Sequence, residues 1–97
     1  MADIESILID NGGTVEHHFS GGIYAKETHI PAGVMLTQHE HQHDHLSILA
    51  KGDALVVVDG IEIALSGPKC LNIPAGRKHS VKAVSNIVWF CIWPEGI

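Results

Sequence analysis

The sequence predicts an all-β fold of the sandwich or barrel type. Two observations carry this. Apolar segments are short, four to eight residues, and nearly every one stops at a turn-forming cluster. No segment keeps a helical periodicity for long.

Residues 4–9, IESILI, fit either one turn of helix or a first strand. From Ile23 onward the punctuation is regular. IYAKETHI stops at Pro31-Ala32-Gly33, and VMLTQH runs into a histidine-rich stretch. LSILA stops at Lys51-Gly52-Asp53. ALVVV and IEIAL flank Asp59-Gly60, the strongest short hairpin signal in the chain. CLNI meets Pro74-Ala75-Gly76, HSVKAV leads through Ser85-Asn86 to IVWFCIW, and Pro94 ends the last strand. This gives seven or eight strands and no internal repeat or linker. ALVVV and IVWFCIW are apolar on both faces, whereas a strand with one solvated face alternates. A domain this small has little of its own to cover a second face, which points to a homodimer.

At 97 residues the chain is expected to form one domain with a single core. The net charge is −5 and the six Lys and Arg form no basic block, so nucleic-acid binding has no electrostatic support. No apolar run approaches the roughly 20 residues that span a bilayer, and MADIESILID does not have the pattern of a signal peptide. Cys70 and Cys91 are too few for a disulfide framework and are expected to be reduced and buried, in a cytoplasmic protein.

Half of the eight histidines fall in HEHQHDH, residues 39–45. On a straight strand all four would share a face, with alternate residues about 6.6 Å apart and those four apart at about 13 Å. Imidazoles two residues apart can tilt to one ion at about 2.1 Å from each nitrogen, whereas those four apart cannot. His39 and His41 can thus act together, and His45 joins them only if the chain reverses at 42–44. That reversal leaves His43 on a solvated turn. His79, opening a strand after the turn of IPAGRKHSV, is the fourth candidate.

These residues resemble the two motifs of the cupin superfamily. The first is a Gly, five residues, His-x-His, three or four residues, Glu, six residues and Gly. Gly33, His39-Glu40-His41, His45 and Gly52 keep that spacing, with His45 at the usual Glu. The second centres on Pro-x-Gly-x-x-His with Asn four residues on. Pro74-Ala75-Gly76-Arg77-Lys78-His79 fits it, with Gly67 one residue further upstream than usual and Ala83 replacing the Asn.

The resemblance covers about residues 23–93, leaving 1–22 as an N-terminal extension or first strand. It implies a double-stranded β-helix, or jelly-roll, barrel holding one divalent metal (Mn, Fe, Ni, Cu or Zn) on His39, His41, His45 and His79. Four neutral ligands leave the full charge on the ion, which makes it a stronger Lewis acid, and leave two positions open in an octahedral field.

Strand parity adds pocket walls. Met35 and Thr37 share the parity of His39, Ser47 and Leu49 that of His45, and Val81 and Ala83 that of His79. Either Trp89, Cys91 and Trp93 or Val88, Phe90 and Ile92 line the pocket, and parity does not choose. No wall residue is a convincing general acid or base, and Cys91 is not expected to be a nucleophile. His17 and His18 are expected to be exposed and His29 to be a half-buried strand residue. Arg77 and Lys78 are read as ordinary turn charges.

The expected activity is that of a small-molecule dioxygenase or oxidase. The alternatives are a non-redox isomerase, lyase or cyclase acting on a sugar acid or diketone-like chelate, and a non-catalytic module that binds a small molecule or metal.

Overall fold

A computed structural model describes residues 8–38, 45–73 and 79–95. Among the described residues there are nine strands: β1 (Thr14–Ser20), β2 (Ile23–Ile30), β3 (Met35–Gln38), β4 (His45–Lys51), β5 (Asp53–Val58), β6 (Ile61–Ser66), β7 (Lys69–Ile73), β8 (His79–Ala83) and β9 (Ile87–Pro94). They form two antiparallel sheets, one of five strands in the order β1-β2-β9-β4-β7 and one of four in the order β3-β8-β5-β6. Their inner faces pack together as a jelly-roll barrel.

The turns follow from local chemistry. Val58 pairs with Ile61 across Asp59-Gly60, whose φ angles are 51° and 80°. Two positive φ values define the turn whose twist matches the strands it joins, and Gly and Asp are the residues that tolerate them. Gly21-Gly22 make the same kind of two-residue connection between β1 and β2.

β1 falls within residues 1–22, for which the sequence leaves open an N-terminal extension or a first strand. TVEHHFS is mostly exposed and lacks an apolar alternation, so nothing but the pairing partner β2 makes it a strand. Residues 8–10 form a helical turn; of the stretch 4–9, residues 4–7 lie outside the described part. Leu8 on that turn is fully buried and closes one end of the core.

The core lies between the sheets. Ile30, Leu49, Ile87, Trp89 and Cys91 come from the larger sheet, and Leu36, Ala54, Val56, Val81 and Ala83 from the smaller. Each fully buried side chain such as Leu49 contributes about 1.5–3 kcal/mol by leaving water. β9 sits between β2 and β4, and its residues Ile87, Trp89 and Cys91 are all buried. This settles the parity of the last strand: Trp89, Cys91 and Trp93 face inward, and Val88, Phe90 and Ile92 face out. Of the two cysteines only Cys91 is buried. Cys70 is exposed, because it lies opposite Ile48 on the outer face of the edge strand β7.

Candidate metal centre and barrel interior

β3 and β4 are consecutive in the chain but belong to different sheets. Residues 39–44, which connect them, carry His39, His41 and His43 and lie outside the described residues, as do 74–78, with Arg77 and Lys78. His45 is the first residue of β4, opposite Ile73 of β7. Its strand position has the parity of Ser47 and Leu49, both fully buried. His79 is the first residue of β8, flanked in register by Gln38 of β3 and Val58 of β5. It is only 2% exposed, and its Nδ1 is shut off from solvent. The two strand positions thus begin on facing sheets, at the end of the barrel where β3 and β5 finish.

Val81 and Ala83 follow His79 on the inner face of β8, both buried. Met35 and Thr37 do not belong with them. Leu36 pairs with Val81 and is buried, which turns Met35, 57% exposed, and Thr37 outward beside Lys82 and Ser80. A strict alternation carried back from His39 would place Met35 and Thr37 on the inner face. The core chooses Leu36 instead, because two exposed neighbours leave it the only described apolar side chain of β3 that can meet Val81. Thr37 still borders an open hollow beside His79, Val57 and Asp59.

The interior has walls that sequence reasoning missed. A small cavity of about 20 Å³ is lined by Lys26, Thr28, Leu36, His79, Val81, Trp89 and Cys91, among others. That is room for on the order of one water. Lys26 and Thr28 lie on the inner face of β2, opposite Cys91 and Trp89. Their signal was available: in IYAKETHI, Lys26 and Thr28 share parity with the apolar end residue Ile30.

Thr28, Ser47 and His79 are the buried polar residues among those described. Ser47 Oγ lies 3.8 Å from Cys91 Sγ. Burial pushes the Cys91 thiol up, and the contacts with Ser47 and Trp89 and the charge of Lys26 offset this only in part. Cys91 therefore stays a thiol at neutral pH and is a poor nucleophile.

A buried imidazole fits a metal better than it fits an apolar core. A neutral imidazole is a borderline donor suited to Zn, Cu, Fe and Ni. Neither Val81, Leu36 nor Trp89 on the surrounding wall competes with it for an ion.

The other histidines lie apart. His17, exposed on β1, is 2.7 Å from the Tyr24 hydroxyl. His18 and His29 lie on the outer face of β1 and β2 with Glu27 between them. His29 is half-buried, at 44% side-chain exposure.

Among solved structures the chain is similar to a cupin superfamily protein from Desulfitobacterium hafniense. That match has a TM-score of 0.75 at 18% identity, covering 86% of this chain and 77% of that one. An RmlC-like cupin from Shewanella frigidimarina matches with a TM-score of 0.75 at 18% identity, covering 89% and 78%. A cupin 2 conserved barrel domain protein from Salinispora arenicola matches with a TM-score of 0.71 at 19% identity, covering 90% and 79%. No family model matches the chain, and no curated protein does. At these identities the likeness is one of fold, and the fold is the cupin barrel.

Proposed function

We propose that this cupin-fold chain is a metal-dependent protein that holds one divalent ion on His39, His41, His45 and His79 and acts on a small molecule, as a dioxygenase or oxidase. The observation that carries the reading is His79. It is a buried imidazole at the head of an inner strand position, and the parity of position 45 on the facing sheet matches it. The spacing of the two histidine motifs supports the same ligand set.

When bound there, a divalent metal supplies Lewis-acid polarisation of a carbonyl, or dioxygen chemistry if it is iron, manganese or copper. The chain's own residues supply the rest. Leu36, Val81 and Trp89 form an apolar wall behind the site with room for on the order of one water, and so low a local polarity strengthens any charge interaction in front of it. Lys26 brings a positive charge to the same wall and favours an anionic ligand. The cavity is too small for a substrate, so the substrate binds nearer the barrel end where β4 and β8 begin.

Lys26 is the observation that favours the second reading, a non-redox isomerase, lyase or cyclase acting on a sugar acid or another anionic chelate. Oxygen consumption separates the two. Turnover with no oxygen uptake assigns the non-redox activity, and a tightly held ligand with no turnover makes the protein a binding module.

The metal assignment is tested by metal content after purification without an affinity metal. His45→Ala or His79→Ala is expected to lower it at least severalfold, and His43→Ala to leave it unchanged. Equal losses at 43 and 45 would reject the reversal at 42–44 and leave only a loose histidine tract.

We also propose that two copies pair through the outer face of the five-stranded sheet. There Ala25 and Leu46 flank Ile92, and Ile48 sits beside Phe90, in an apolar patch with Leu46 and Ile23 43% and 44% exposed.

A further inference from the structure

The alternation that sends Lys26 and Thr28 into the barrel sends Glu27 and His29 to the outside of β2. On β1, Glu16 and His18 share that outer face. Glu16 stands directly opposite Glu27 in the strand register. Like charges so placed repel and weaken a sheet, and here one strand, β1, is the margin of the sheet while the other, β2, is also paired with β9. A cation between them removes the conflict.

The donor atoms are already gathered. His18 Nε2 lies 2.9 Å from Glu27 Oε1 and 3.9 Å from Glu16 Oε2. One donor atom from each of the three residues falls within 4.8 Å of the other two. A tetrahedral zinc ion, with bonds of about 2.0–2.1 Å, sets its ligands roughly 3.4 Å apart. Small side-chain rotations reach that spacing from both sides. His29 completes the arrangement from behind. Its Nε2–H donates to Glu27 Oε2 at 2.5 Å, which leaves Oε1 turned to the site. An outer partner that fixes a ligating group in this way is a regular feature of metal sites.

We propose that Glu16, His18 and Glu27, with His29 orienting Glu27, form a second divalent metal site on the outer face of the β1–β2 ribbon. One imidazole and two carboxylates suit zinc or a similar first-row ion and leave a position for water. The site is separate from the barrel interior, since its residues have the opposite strand parity to Lys26 and Thr28. It stands whether or not the interior histidines hold metal.

Zinc(II) titration of the full chain, stripped of metal by chelator, tests it. His18 is half exposed, so His18→Ala is expected to fold as the wild type does. It should bind one zinc equivalent fewer, whereas His17→Ala, on the other face of the same strand, should bind as many as wild type. In imidazole nitrogen NMR of the wild type, His18 should shift with zinc while His17 does not. Loss of one zinc equivalent with His18→Ala supports this site, whatever number of equivalents the wild type binds. Equal zinc uptake by wild type and His18→Ala, or an unmoved His18 signal in excess zinc, would overturn the proposal.

Discussion

At the scale of single residues, burial decides chemistry. Cys91 and Cys70 are the same side chain in opposite surroundings. Cys91 is walled in and its thiol is pushed up, while Cys70 is exposed on an edge strand. Iodoacetamide at pH 8 should therefore label Cys70 in the native protein and leave Cys91 unlabelled until the chain is unfolded. Mass spectrometry of native and denatured samples checks this, and fast native labelling of Cys91 would contradict it. The raised pKa also has a sign in stability. Below the unfolded thiol's pKa of about 8.5 both states hold the proton and nothing changes. Above it the unfolded chain releases the proton while the folded one keeps it, so stability falls with pH, by at most about 1.4 kcal/mol per unit. Denaturant midpoints measured from pH 7.5 to 10 should decline more steeply in wild type than in Cys91→Ala.

Residues also show where sequence was and was not legible. His79 could be placed at the head of a strand because Pro74 and Gly76 precede it. Met35 and Thr37 face outward because Leu36 takes the inner position opposite Val81, and His39, from which their parity was taken, lies outside the described residues. Lys26 was passed over because a lysine on a mixed strand looks solvated until its partner, Cys91, is known.

Among the elements, the turns were readable and the margin strand was not. Asp59-Gly60 announced its hairpin because only a few residues accept its backbone. β1 has no apolar stripe, and its strand form rests on its hydrogen bonds to β2, which no local pattern encodes. Two glycines at similar angles make a test of what each turn demands. Gly60 has a φ of 80° with nothing near a would-be Cβ, and Gly52 has a φ of 93° with the Asn86 carbonyl oxygen 2.4 Å from one. Gly60→Ala meets only the backbone penalty, about 1 kcal/mol. Gly52→Ala adds a backbone clash that requires the β4–β5 and β8–β9 turns to separate, and should cost about 2–4 kcal/mol. Urea unfolding of the two variants checks the order, and equal losses would mean the Gly52 turn yields easily.

For the whole molecule, the doubly apolar strands ALVVV and IVWFCIW pointed to more covering than one small barrel provides. In the structure the outer side of β9, with Phe90 and Ile92, is half-buried between Ile48 and Leu46 on one side and Glu27 and Ala25 on the other. If a second copy covers this face, sedimentation at micromolar concentration should give a dimer. The pair of substitutions Ile23→Glu and Leu46→Glu should give a folded monomer, with circular dichroism unchanged. A monomeric wild type would end the proposal. Among the described residues, no helix is long and apolar enough to cross a membrane.

The order β1-β2-β9-β4-β7 has a consequence in time. β9 is synthesised after the other eight described strands, yet it is the central one, and β2 and β4 are joined in the sheet through it. Residues 23–30 must wait for residues 87–94 before their free edge is satisfied. Closing so long a loop is slow compared with forming a local hairpin. On the ribosome β1–β2 and β5–β6 can zip up early as isolated ribbons, but the larger sheet cannot form until Pro94 has cleared the exit tunnel. Until β9 is made the nascent chain presents the unpaired edges of β2 and β4 to whatever else is in the cell, and a chain stalled before Ile87 would keep them open for good.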